Sequence, residues 1–247
     1  SLTGTLPAGL SFSTTTGRIT GTPTATQTAT TYTITATNTS GSTTATFTLT
    51  VVRTCANGGE CVVGNTGPGG GIVFYVQAAG GTFTSTGSDC NTTCKYLEAA
   101  TSDQGAFGDN WCSNTTSLLG VTATGIGSGM SNTTTADLTC TSGRIQISAD
   151  YTNNGKTDWH LPSKDELNQM CKWQRGITGD ALTTLTTVCT GSGILNTGSG
   201  AAGFSGANYS SSSEDDASNA SLQSFTDGTQ GELRKIYAFN VRPVRAF

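Results

Sequence analysis

The chain has 247 residues, of which 34% are hydrophobic and only 11% charged, with a net charge of −4 and 33 glycines beside abundant Thr and Ser. That acidic balance provides no basic footprint for nucleic acid, and no run approaches the roughly 20 apolar residues of a membrane-spanning helix. No charged segment followed by an apolar one opens the chain, which is read as a mature chain or an excised fragment.

Residues 1–52 contain no Cys, almost no charge and clear period-two patterning. Residues 6–12 and 17–23 predict short strands broken by Gly and Pro. Residues 32–37 alternate apolar side chains with Thr, Asn38-Thr39-Ser40-Gly41 supplies a turn, and residues 46–51 alternate again, so a β-hairpin is expected. LPAGLSFSTTTGRITGTPT followed by YTITATNTSG resembles the bacterial Ig-like repeat found in tandem in large surface proteins. In that family one or two strands precede the Leu-Pro-x-Gly-Leu motif, whereas Ser1 stands five residues before Leu6. The resemblance therefore implies a partial β-sandwich, either cut within a repeat or completed by a strand from another copy in trans.

Residues 53–63 form a cysteine-marked linker, and 64–247 a second domain. Its opening Gly67-Pro68-Gly69-Gly70-Gly71 leads into an apolar strand at 72–76. Phosphate loops follow a strand and open a helix, the reverse order, so a turn is expected. Residues 96–100 suit a strand end or a short helix, 105–114 a loop, and Thr133–Thr139 a helix capped by Asn132. Asp158-Trp159-His160-Leu161-Pro162-Ser163-Lys164-Asp165-Glu166 holds the strongest helix start. Ser163 is placed to cap it, Glu166 to reach back three residues, and Leu167, Met170 and Cys171 to form one apolar face. Residues 189–203 read as an exposed Gly/Ser/Thr-rich loop, and 236–247 alternate as a closing strand, with Pro243 at an edge or bulge.

The eight cysteines, Cys55, Cys61, Cys90, Cys94, Cys112, Cys140, Cys171 and Cys189, are an even set in a Ser/Thr-rich chain. They suggest an oxidising compartment and up to four disulfides. Sequence leaves the connectivity open; neighbour pairing, 55–61, 90–94, 112–140 and 171–189, is motivated only by its short loops. Zinc is disfavoured, because Cys90-x-x-x-Cys94 has no second close pair at zinc-ribbon distance.

From about Val63 onward, GNTGPGGGIVFYV, KYLEAA, TDWHLPSKDELNQM, YSSSSEDDASNA and NVRPVRAF resemble the domain that ends the collagen-like Legionella adhesin and many bacterial surface proteins. The resemblance implies a C-type-lectin-like α+β fold, related to the formylglycine-generating enzymes, and an extracellular glycan- or surface-binding module. Two departures stand out: Ser210 where that family commonly has Trp, and Ser221 where it has an aromatic. The fold class expected for the chain is thus β-rich, a partial Ig-like sandwich plus a disulfide-braced C-type-lectin-like α+β domain.

No catalytic site is expected, since His160 is the only histidine and catalysis by Ser or Cys needs a base within reach. Calcium is the one candidate ion and no other cofactor is expected. Asp150, Thr152, Asn154, Gly155 and Asp158 follow an EF-loop template, but Leu161 stands where the bidentate Glu is needed. Glu214, Asp215 and Asp216, with Asn219 nearby, supply hard oxygens in a lectin-like loop. The expected ligand face runs through Asp109, Asn110, Trp111, Tyr209, Glu214, Asp215 and Asp216. The expected partner is a glycan or cell-surface ligand, or, in a filament or virion appendage, other copies of the chain. Six Asn-x-Ser/Thr sequons, among them Asn91 and Asn114, matter only in a host that glycosylates them.

Overall fold

The computed structural model describes residues 1–78, 80–105, 109–177, 189 and 204–247. The chain divides into two compact units, Ser1–Thr54 with Gly58–Glu60, and Cys55–Asn57 with Cys61–Phe247. The expected loop at 190–203 lies outside the described residues.

The first unit is all β. Strands β1 (Leu2–Thr3), β4 (Gln27–Asn38) and β5 (Gly41–Val51) form one antiparallel sheet in the order β1-β4-β5, and β2 (Leu10–Phe12) pairs with β3 (Ile19–Gly21) in a second. The predicted hairpin is present and extends beyond the alternating segments at both ends. Its turn is closed by the Asn38 side chain, whose Oδ1 accepts the Ser40 N–H at 2.8 Å. Gly9 and Gly21 hold the β2–β3 end together. A Cβ on Gly9 would stand 2.1 Å from the Thr22 carbonyl oxygen, and one on Gly21 equally close to that of Gly9.

Tyr32 is the anchor of this unit. It is 1% exposed, stacks on Phe47 at 5.4 Å and donates its hydroxyl to the Thr5 carbonyl at 3.0 Å. Around it the core thins out. Leu10, Phe12, Ile19, Ile34, Phe47, Leu49 and Val51 are all only half-buried, and Pro7 is the other buried residue of the unit. Apolar side chains at those strand positions normally disappear between two sheets, so this sandwich is half covered.

The second unit mixes two small antiparallel sheets with helices. Strands β6 (Ile72–Val76), β7 (Tyr96–Ala99) and β11 (Val244–Ala246) run in the order β11-β7-β6. Strands β8 (Asn208–Glu214), β9 (Asn219–Ser224) and β10 (Gln230–Arg234) run in the order β10-β9-β8. Helix α3 (Lys164–Gln174) packs against β6, β8 and β9. Leu167, Met170 and Trp173 join Phe74, Leu97, Tyr209 and Phe225 in the main core. Its start is the predicted capping box: Ser163 Oγ accepts the Glu166 N–H, and Glu166 Oε2 accepts the Ser163 N–H at 2.9 Å.

Two expectations are revised, and one helix was not expected. Helix α1 (Ser128–Asp137) begins four residues before Asn132, the expected cap. Asn132 is instead a buried residue inside the helix, its amide donating to the Ala123 carbonyl at 2.7 Å. Helix α2 (Arg144–Ala149) had no sequence signal, being short and without a side-chain cap. Of the expected closing strand, Val244–Ala246 forms a strand and Asn240 and Val241 make isolated bridges to Tyr209 and Gln104; the part around Ile236 and Tyr237 is exposed turn and loop.

The cysteines pair in sequence order: Cys55–Cys61, Cys90–Cys94, Cys112–Cys140 and Cys171–Cys189.

The middle of the β11-β7-β6 sheet carries buried charge. Arg245 on β11 donates from Nη1 to Glu98 at 3.1 Å, from Nη2 to Asp89 at 2.9 Å and from Nε to Asp158. Glu98 on β7 also accepts the Gly69 and Gly71 N–H groups at 2.8 and 2.9 Å. The glycine run is therefore a cradle for a protein carboxylate: a Cβ on Gly67 or Gly69 would lie 2.5 or 2.7 Å from the Glu98 carboxylate oxygens. Burial pushes the Glu98 carboxyl up, against the opposing pull of the Gly69 amide and Arg245. Removing the cation alone leaves Glu98 buried and uncompensated. Arg245→Met is expected to cost roughly 3–5 kcal/mol in denaturant unfolding; a loss below about 1 kcal/mol would show the cluster to be dispensable.

Candidate functional site

The residues expected to form a ligand face occupy very different environments. Trp111 is fully buried and donates its indole N–H to the Ser211 carbonyl at 2.8 Å. Beside it Lys235 Nζ stands 4.9 Å over the Trp111 ring and 2.6 Å from Glu214 Oε1, both charged groups being sealed from solvent. Glu214 accepts the Leu119 and Val121 N–H groups, while Lys235 donates to the carbonyls of Ser117 and Ala217. Trp111, Glu214 and Lys235 thus form an internal junction that ties β8 and the segment after β10 to the 111–121 loop. Lys235 had no place in the sequence argument, because a lone Lys in an exposed-looking turn carries no signal of burial.

Tyr209 is also fully buried. Its hydroxyl donates to Asp103 Oδ2 at 3.0 Å, and Asp103 receives Arg242 as its counterion at 2.6 Å. Burial raises the Asp103 carboxyl, opposed first by the Arg242 charge. Trp111, Tyr209 and Glu214 therefore present no surface to a ligand, a correction to their expected role. Large aromatic rings and a paired carboxylate were worth more inside the unit than at its surface.

The remaining four are accessible, and they do not share one geometry with those three. Asp215 and Asp216 are exposed in the turn between β8 and β9. Asp216 accepts the Ser218 and Asn219 N–H groups and the Asn219 side chain, which hold its carboxyl below its ordinary range. Its oxygens close a turn. Asp109 is half-buried and Asn110 exposed. The two departures from the adhesin family, Ser210 and Ser221, are buried at 3% and 5% exposure.

Three of the calcium candidates have partners within the protein. Asp158 is held by Arg245, Asn154 donates to the Pro68 carbonyl, and Glu214 is paired with Lys235. No group of three or more metal-capable side chains occurs among the described residues. His160 is fully buried with Nε2 3.4 Å from Glu166 Oε2, at the start of α3 rather than in a cleft.

Beneath Asn110 lies a residue that sequence reasoning missed. Arg144 is 1% exposed, and its backbone N–H donates to the Asn110 carbonyl. Its guanidinium lies 5.0 Å from the Phe239 ring centre. Nη2 makes one long bond to the Lys235 carbonyl at 3.4 Å, while Nε and Nη1 have no partner. Burial draws its pKa down to about 10, with Asp109 pulling the other way.

The first unit offers a different kind of surface. Among the described residues the outer edge of β5 has no partner strand, and the outer edge of β4 is paired where Ser1, Leu2 and Thr3 meet Thr35, Ile34 and Thr33. One face of the hairpin is a double rank of hydroxyls, Thr31 opposite Thr48, Thr33 opposite Thr46, Thr35 opposite Thr44 and Thr37 opposite Ser42. At the open end, Gln27, Thr28, Val51, Val52 and Arg53 line a groove of about 960 Å³, and Val52 is 76% exposed.

If Glu214 and Lys235 are structural, Lys235→Met alone should cost roughly 3–5 kcal/mol, and Lys235→Met with Glu214→Leu should recover a good part of that loss. Calorimetric or denaturant unfolding of the three proteins decides it; additive losses would point away from a buried pair.

The model of the family described as Putative Ig domain matches residues 1–52. No curated protein matches the chain. Among solved structures, the chain is similar to a fimbrial protein from Bacteroides ovatus, with 19% identity and a TM-score of 0.42 over 72% of this chain. It spans 44% of that protein's length.

Proposed function

We propose that this is an extracellular, surface- or filament-associated protein whose Ig-like unit joins neighbouring chains by strand addition. The observation that carries this is the half-covered sandwich with its long unpaired edge. Ordinary sheet proteins blunt such an edge with charge, proline or a bulge, and an added strand would satisfy the free backbone groups while covering half-buried apolar side chains. The disulfides support an oxidising, extracellular setting. The four bridges and the buried Arg245 and Lys235 networks suit the second unit to be a rigid body carried by the assembly.

Sedimentation velocity of the intact chain from sub-micromolar to high-micromolar concentration is the test. Concentration-dependent association, visible as larger particles by electron microscopy, is expected; a monomer throughout would overturn the proposal.

A further inference from the structure

We propose that the outer edge of β5 pairs antiparallel with β5 of a second copy of this chain, Thr46 facing Thr46 across a two-fold axis. The pairing rests on strand addition being the mode of assembly, and it assigns the edge, the register and the partner.

Among the described residues the edge is open along its whole length, Gly41–Val51, and nothing in it opposes a neighbour. No Pro lies within β5, and from Ile19 to Val52 the chain has no charged side chain. The register irregularity of the hairpin, between Gln27 and Thr30, lies on β4 at the far end. A second copy brings no charge to repel and no ring to break the ladder.

The sequence of β5 is complementary to itself. Residues directly opposite in an antiparallel pair point to the same face. An axis through Thr46 sets Ser42 opposite Thr50 and Thr44 opposite Thr48, extending the hydroxyl ranks of β4 and β5 across the junction. On the other face it sets Ala45 opposite Phe47, twice, and Thr43 opposite Leu49. Each large ring meets a methyl group and Leu49 gains the Thr43 side chain as a neighbour, while Gly41 faces Val51 at each end. This axis alone pairs all eleven residues of the strand, because Thr46 is its midpoint. A slip of one residue in the sum of partner numbers would set hydroxyls against Phe47 and Leu49, inverting one copy relative to the other. The joined sheet runs β1-β4-β5-β5-β4-β1, and a two-fold contact of this kind closes at two chains. Longer assemblies then need a second contact.

The test is a charge swap in the intact chain, followed by sedimentation velocity. Thr46 is exposed, so Thr46→Lys and Thr46→Glu should leave the melting temperature nearly unchanged at concentrations too low for association. Each places like charges face to face, and each should weaken association on the order of tenfold or more. Mixing the two in equal amounts should restore a heterodimer, since opposite charges then meet. Oxidised Thr46→Cys should also yield a symmetric 46–46 cross-link by peptide mass spectrometry. Association that is indifferent to both charges, or a cross-link absent at 46, overturns this pairing and leaves strand addition at another edge standing. A wild-type monomer at all concentrations overturns both.

Discussion

The C-terminal unit depends on one buried cation. Arg245 sits on the short strand β11 and gathers Glu98 from β7, Asp158 from the segment before α3 and Asp89 from a loop disulfide-bonded at Cys90. Three elements remote in sequence thus meet on one buried guanidinium, and desolvation makes the buried Glu98 and Asp158 carboxylates costly without it, while the exposed Asp89 is also paired with Lys156. Glu98 in turn organises Gly69 and Gly71, so the glycine run before β6 exists because backbone must close round a carboxylate. Trp159 then packs against the same turn, its ring within 2.7–2.9 Å of where a Cβ on Gly69 or Gly71 would stand.

A second buried pair, Lys235 with Glu214, repeats the device on the other side of the unit, roofed by Trp111. The two networks explain why residues with the chemistry of a ligand site do not form one. Carboxylates and aromatics in a unit poor in long aliphatic side chains are drawn inward to tie loops together. What remains at the surface is mostly hydroxyl, amide and glycine backbone, which hydrogen-bonds to itself in turns such as that closed by Asp216.

The Ig-like unit has the opposite construction. It has one fully buried aromatic, two small sheets and apolar residues left half in water, with no disulfide of its own among the described residues. A unit of this size buries a modest share of its surface even when complete. Association is the physical remedy for an exposed ladder and an uncovered face, and the absence of charge along the hairpin makes the remedy accessible. The C-terminal unit is stabilised from within, and the Ig-like unit is arranged to be stabilised from without.

The hairpin was legible in the sequence because alternation and an Asn-Thr-Ser-Gly turn are local signals, and helix α3 because Ser163 and Glu166 lie one turn apart. Strand β7 was half legible: residues 96–100 suited a strand end or a short helix, and nothing local announced that Glu98 is buried against Arg245. Helix α1 was displaced and α2 unseen, since each begins at a glycine whose positive φ has no side-chain cap to announce it. Local patterning by itself determined the strands of the hairpin, the capped helix and the oxidising character of the chain. Tertiary structure alone decided which charged and aromatic residues are internal, because the worth of Arg245, Glu98, Lys235, Glu214 and Arg144 depends on partners 21 to 147 positions away and on the water excluded between them.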